Sequence, residues 1–173
     1  MKVAVIGVGS MGRNHARVYS ELAEAELVAV SDADAKQAGS IAEKFGVRAY
    51  ADYREMLRKE KPDAVSIAVP TVLHEEVGMA VLEAGAHVLM EKPIAATVEE
   101  GQRLIAKAQT TGRQLMVGHI VRFNPAIQAL KQKLAAGDLG RIFQVFCRRA
   151  GPFPSRILDV GVVVDLAPHD VDL

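Results

Sequence analysis

Lys92 stands in the triplet Glu91-Lys92-Pro93, directly after the apolar run Val88-Leu-Met. A desolvated lysine beside other charges can exchange a proton with a reacting hydroxyl. The plainer alternative is a surface lysine paired with Glu91. Asp165 and His169 lie four residues apart, so in a helix they share a face. Pro168 between them makes a regular helix harder to form. A histidine beside a carboxylate can take the proton of an alcohol as hydride leaves its carbon. The rival chemistry is metal ligation. With no cysteine or second histidine near this pair, the expectation is that no metal is held. His119, at a strand end beside Arg122, either lines a ligand crevice or satisfies a loop carbonyl. His15, His74 and His87 read as structural or solvent-facing, although His15 follows a glycine loop and His74 sits where a strand meets a helix.

That loop is the second chemical feature. Val3-Ala-Val-Ile leads into Gly7-Val-Gly9-Ser10-Met11-Gly12, the spacing of a dinucleotide-binding turn. Gly7 serves the tight strand-to-helix turn, Gly9 lets backbone approach a pyrophosphate, and Gly12 allows close helix-on-strand packing. Ser10 and Met11 belong to the same loop, where the helix offers unpaired N–H groups and its positive end. Asp32 ends another apolar run about 20 residues beyond Gly12, where an acid that binds ribose hydroxyls belongs. Such a carboxylate repels a 2′-phosphate, so NAD is expected over NADP, with Arg13 and Lys36 near enough to soften the preference. The alternative is that Asp32 only caps the helix beginning near Asp34.

The elements that must position these residues follow an α/β rhythm. Strands are expected at 2–7, 27–31, 64–68, 87–91 and 114–118, and helices at 11–22, 34–45, 53–59, 74–84 and 97–111. This alternation predicts a Rossmann-type, doubly wound parallel sheet over residues 1–120. Gly46, Gly85 and Gly112 fall where helices end. Ligands of such sheets bind beyond the carboxyl ends of the strands, which is where Asp32, Lys92 and His119 fall.

From 121 to 173 the pattern reads as the start of an incomplete α+β second domain: a helix to about Ala136, a Gly137–Gly140 turn, a strand over Arg141–Arg149, a Pro/Gly stretch and a final run, 159–173. The chain stops inside what reads as a helix.

The 21 basic and 21 acidic residues cancel and are scattered, which argues against a nucleic-acid partner. Half the residues are hydrophobic, yet the apolar runs are too short to span a membrane. No secretory leader is visible. The single cysteine, Cys147, fits a reducing, cytoplasmic setting and reads as a half-buried strand residue.

Taken in order, Gly7 to His15, Asp32, Pro70-Thr71 with His74, Glu91-Lys92-Pro93, Gly118-His119 with Arg122-Phe-Asn, and Asp165 to Asp172 resemble the glucose–fructose oxidoreductase, inositol dehydrogenase and MocA family of NAD(P)-dependent sugar oxidoreductases. The resemblance spans essentially the whole chain. It implies catalytic positions at Lys92, Asp165 and His169, and a nicotinamide crevice lined by Pro70, Thr71, His74, Glu91 and His119. A sugar hydroxyl would lose its proton to Lys92 or His169 while hydride passes to nicotinamide.

Arg148-Arg149-Ala-Gly-Pro-Phe-Pro-Ser-Arg156 is similar to the nucleotide-sugar branch, particularly enzymes oxidising the 3-hydroxyl of UDP-N-acetylglucosamine. Arg149 and Arg156 would grip a diphosphate bidentately, with Lys92, Asp165 and His169 completing the substrate site. The alternative for the arginines is a charged strand edge. Family members run about twice as long. An unfinished sheet exposes strand edges, so the expectation is a chain that forms homo-oligomers or aggregates, or is disordered after about residue 120. A second functional reading is a non-catalytic dinucleotide-binding module.

Overall fold

The computed structural model describes residues 1–148, 163 and 167–172. They fall into two compact units, Met1–Gly118 and His119–Leu173. The first is built on six parallel strands: β1 (Lys2–Ile6), β2 (Glu26–Ser31), β3 (Arg48–Tyr50), β4 (Ala64–Ile67), β5 (His87–Met90) and β6 (Leu115–Val117), in the order β3-β2-β1-β4-β5-β6. Connecting them are α1 (Gly12–Glu21), α2 (Ala35–Phe45), α3 (Tyr53–Glu60), α4 (His74–Glu83) and α5 (Val98–Thr111).

Side chains alternate across β1 because successive residues of a strand face opposite ways. Ala4 and Ile6 join Val65, Ile67, Val88 and Met90 in a core closed by Met56 of α3, Val77, Val81 and Leu82 of α4, and Leu104 of α5. Val5 and Val30 face the other way, onto Ala16 of α1 and Ala42 of α2. The chain runs outward from β1 through β2 to β3, then returns to pair β4 against β1. That reversal opens a crevice between the carboxyl ends of β1 and β4, where open α/β sheets bind ligands.

Local signals start and stop the helices. Asp34 caps α2 through the Lys36 and Gln37 N–H groups, and Thr97 with Glu100 forms a capping box on α5. Gly46, Gly85 and Gly112 take positive φ at the helix ends, where a Cβ would be strained. Because Asp34 is the cap, the reading of Asp32 as the residue that caps α2 is corrected.

The sequence pattern misses β3. Three residues that pair only with Ala29, Val30 and Ser31 on an edge are too short to carry a periodic signal.

The second unit contains a 3-10 turn (Ile120–Phe123), α6 (Pro125–Ala135) capped by Asn124, and a short α7 (Pro168–Val171). The strand expected over Arg141–Arg149 is not formed in its described part, 141–148. A strand is held by ladder partners, and none pairs with this segment among the described residues. Phe143 and Phe146 are 84% and 82% exposed, and Cys147 is exposed rather than half-buried. Arg149, Arg156 and Asp165 lie outside the described residues. No described helix is long and apolar enough to cross a membrane.

Candidate functional site

The glycine loop leaves β1 against the backbone that follows β4. Gly7 has φ +81°, and a Cβ there would stand 2.7 Å from the Ala68 carbonyl carbon and oxygen. At Gly12 a Cβ would lie 1.7 Å from the Gly7 carbonyl oxygen. These two glycines let the turn, the helix start and β4 nest together. Gly9 differs, since a Cβ there would meet nothing within 4 Å. Its lack of a side chain leaves space open above the start of α1.

That helix start also lacks a capping side chain, and its first turn carries no acid. The starts of α2, α3, α5 and α6 are capped by Asp34, Asp52, Thr97 and Asn124. An uncapped helix N-terminus beneath an open glycine suits a pyrophosphate, so the residues present fit a dinucleotide. Ser10 is exposed and Met11 half-buried in this loop.

Asp32 follows the last residue of β2 and is tied to the same loop. Its Oδ2 accepts from the Val8 N–H and from Gln37 Nε2, both at 2.8 Å, and its Oδ1 accepts from the Asp34 N–H at 2.9 Å. The carboxylate is thereby fixed beside the loop while remaining partly accessible.

Pro70 opens a 3-10 turn, Thr71–Leu73, beyond β4, and Thr71 is buried. His74 is 1% exposed, and its ring nitrogens lie 2.8 Å from the Pro93 carbonyl oxygen and 3.1 Å from that of Val69. It thus bridges the turns after β4 and β5. The Lys92–Pro93 peptide bond is cis, and Lys92 is half-buried.

A buried polar chain runs beneath Lys92. Glu91, 8% exposed, accepts from His15 Nε2 at 2.9 Å and from the Lys92 N–H at 3.2 Å. His15 Nδ1 lies 3.1 Å from Ser66 Oγ, which lies 2.7 Å from the Tyr19 hydroxyl. From sequence alone His15 reads as structural or solvent-facing, and Ser66 and Tyr19 are not singled out. The available signal was polar side chains at Tyr19, one turn beyond His15 in α1, and at Ser66 inside an otherwise apolar strand.

Burial alone would raise the Glu91 carboxyl. The hydrogen bond and charge of His15, then the Lys92 N–H and its amine, outweigh burial and hold the group below its ordinary 4.5. A carboxyl lowered by folding stabilises the fold above its unfolded value and loses that contribution as pH falls through the lowered one. The stability difference between wild type and Glu91→Gln should therefore be full near neutrality and shrink below about pH 4.5. Urea melts at stepped pH test this, and a difference that stays constant on acidification would contradict it.

Within the second unit, Arg122 forks onto Asp172 through Nε at 2.6 Å and through Nη2. Arg122 holds the Asp172 carboxyl below the usual carboxylate range, against a smaller opposing effect of desolvation, with His119 adding its charge. His119 Nδ1 stands 3.7 Å from Asp172 Oδ2. His169 sits on α7, half-buried. Among the described residues there is no group of three or more His, Cys, Asp or Glu side chains placed to hold a metal.

A parallel sheet with this strand order, carrying a glycine loop, an uncapped helix start and an acid at the end of β2, defines a nicotinamide-dinucleotide-binding Rossmann domain. Residues 1–119 match the GFO/IDH/MocA oxidoreductase family with NAD-binding Rossmann fold. The chain belongs to that family, whose Rossmann fold binds NAD.

The UDP-N-acetylglucosamine 3-dehydrogenase of Acidithiobacillus ferrooxidans is 40% identical over 173 residues, covering 100% of this chain and 53% of that protein. A crystal form of that enzyme superposes with a TM-score of 0.85 at 39% identity, over 99% of this chain and 54% of that one. Inositol 2-dehydrogenase 2 of Saccharopolyspora erythraea is 35% identical over 178 residues, covering 100% of this chain and 52% of that protein. The WlbA dehydrogenase of Bordetella pertussis, in complex with NADH and UDP-GlcNAcA, superposes with a TM-score of 0.78 at 29% identity, over 82% of this chain and 44% of that one. The chain thus spans about half the length of the relatives it matches.

Proposed function

We propose that this chain is the dinucleotide-binding part of an NAD-dependent dehydrogenase that oxidises a hydroxyl of a sugar or nucleotide sugar, with the 3-hydroxyl of UDP-N-acetylglucosamine as the leading substrate. The observation that carries the reading is the open, uncapped start of α1 with the Asp32 carboxylate fixed beside it. Gly7, Gly9, Ser10, Met11 and Gly12 would hold the pyrophosphate, and Asp32 the adenosine ribose. Pro70, Thr71 and Lys92 would face the nicotinamide end with His119, while His74 and Glu91 hold the turns from behind. The name of the Acidithiobacillus relative and the nucleotide sugar in the Bordetella complex support the substrate class.

A nicotinamide dinucleotide held by the glycine loop and Asp32 would supply the hydride acceptor. The chain's own task is the proton: the substrate O–H gives it to Lys92 Nζ or to His169, and the hydroxyl carbon becomes a ketone. Asp165 would orient His169, and Arg149 and Arg156 would grip the diphosphate. We place the protein in the cytoplasm and read it as a homo-oligomer; the exposed Phe143, Val145 and Phe146 support the second of these. The membership in an oxidoreductase family gives no support to a non-catalytic module.

The test is a fluorescence titration with NADH and with NADPH, followed by NADH formation from NAD and UDP-N-acetylglucosamine. NADH should bind more tightly. Asp32→Asn should cut that preference by roughly tenfold, because a charge-assisted hydrogen bond and a like-charge barrier to the 2′-phosphate are both lost. Equal binding of the two dinucleotides to the wild type would overturn the assignment of Asp32.

A further inference from the structure

We propose that the buried His15–Glu91 bridge is a positioning device that ties the dinucleotide-binding helix to the turn carrying Lys92, with the Glu91 carboxylate selecting the nitrogen of His15 that donates and Ser66 and Tyr19 serving the other. The inference rests on the reading of Lys92 as the proton-handling group and adds two residues that act through it.

The direction of each hydrogen bond follows from what its partner can do. A carboxylate only accepts, so His15 Nε2, 2.9 Å from Glu91 Oε1, carries the proton. Whenever the ring is neutral Nδ1 accepts, and Ser66 at 3.1 Å donates to it. Tyr19 in turn donates to Ser66 Oγ at 2.7 Å. Every group in the chain is satisfied by this one tautomer. The His15 and Glu91 side chains are 15% and 11% exposed, so water competes little for their bond.

The ends of the bridge are what give it a function. His15 lies in the first turn of α1, and its N–H donates to the Met11 carbonyl of the glycine loop. The second oxygen of Glu91 accepts from the Lys92 backbone N–H at 3.2 Å. Gly118 lies beside that carboxylate, where a Cβ would be in ordinary contact at 3.6 Å from Glu91 Oε2. One imidazole and one carboxylate therefore span from the pyrophosphate loop to the backbone of the lysine, crossing over β4 at Ser66. All of these groups belong to the unit Met1–Gly118. The charged or titratable side chains acting on Glu91 are His15 and Lys92.

A ring that merely fills space would be replaced well by leucine. A ring that works by donating and accepting would be replaced better by glutamine, whose amide can do both. The experiment uses the whole chain with four variants. Histidine nitrogen NMR reads the His15 tautomer. The titration of Lys92, dimethylated with carbon-13 and assigned by its loss in Lys92→Arg, reads the amine. NADH fluorescence reads the loop.

The expected result is the Nε2–H tautomer in wild type, and a displaced Lys92 titration in both His15→Leu and Glu91→Gln. His15→Leu should weaken NADH binding by roughly tenfold, the scale of a lost hydrogen bond to a charged group. His15→Gln should recover most of both effects. An Nδ1–H tautomer, or a Lys92 titration identical in wild type, His15→Leu and Glu91→Gln, would overturn the proposal. So would leucine performing as well as glutamine. If His15→Leu does not fold, Glu91→Gln keeps the side-chain shape and decides through Lys92. Failure of the wild type to bind NADH would count against the proposed function, while the tautomer and the Lys92 titration still decide the bridge.

Discussion

Gly12→Ala is expected to abolish saturable NADH binding and to destabilise the fold by at least the upper end of the ~1–3 kcal/mol typical of overpacking. The added Cβ would lie 1.7 Å from the Gly7 carbonyl oxygen and 2.8 Å from its carbon. Backbone, unlike a flexible side chain, has little freedom to retreat. Gly7 is itself confined, with φ +81° and the Ala68–Val69 backbone 2.7–2.8 Å from where a Cβ would stand. The strain would therefore pass into β4 or lift α1 off the sheet, and either movement dismantles the loop.

Gly9→Ala is the matched control. Its Cβ meets nothing within 4 Å, so it should melt like wild type and lose affinity only. Urea melts and NADH titrations on the three proteins decide the matter. A Gly12→Ala protein with wild-type melting and binding would refute the nesting of the two glycines.

Lys92→Met is expected to leave NADH affinity within about threefold of wild type while lowering turnover of UDP-N-acetylglucosamine by roughly 10²- to 10⁴-fold, the range for removing a positioned acid–base group. Methionine keeps much of the aliphatic stem and removes the amine. Because the turn carrying Lys92 is held at its backbone by Glu91 and at Pro93 by His74, the substitution should not disturb the glycine loop. Turnover within tenfold of wild type would shift the proton to His169. Loss of NADH binding in this variant would make Lys92 a cofactor-holding residue instead.

The places in the fold of the candidate residues carried by local chemistry could be read directly from the chain. Glycines at fixed offsets, an acid closing a strand and a lysine after an apolar run each follow from one backbone turn. Those residues fall around the carboxyl ends of β1, β2 and β5. What escaped depends on contacts distant in sequence. His15 meets Glu91 across 76 positions and Ser66 across 51, so neither adjacency nor periodicity could pair them. Likewise β3 exists only through its neighbour β2. The run 141–148 has strand-forming residues but no ladder partner among the described residues. A propensity can name a strand, but only pairing makes one.

The missing cap on α1 has a thermodynamic consequence. A helix start with no side-chain cap, placed where the dinucleotide would bind, makes folding stability a function of coenzyme concentration. A ligand that binds only the native state at 100 times its dissociation constant adds about 2.7 kcal/mol. A side-chain cap in its place would contribute about 1 kcal/mol at every concentration. Intrinsic stability is thus exchanged for stability that rises and falls with supply. Depletion of the dinucleotide would lower the stability of this domain before its concentration limited the rate of any reaction.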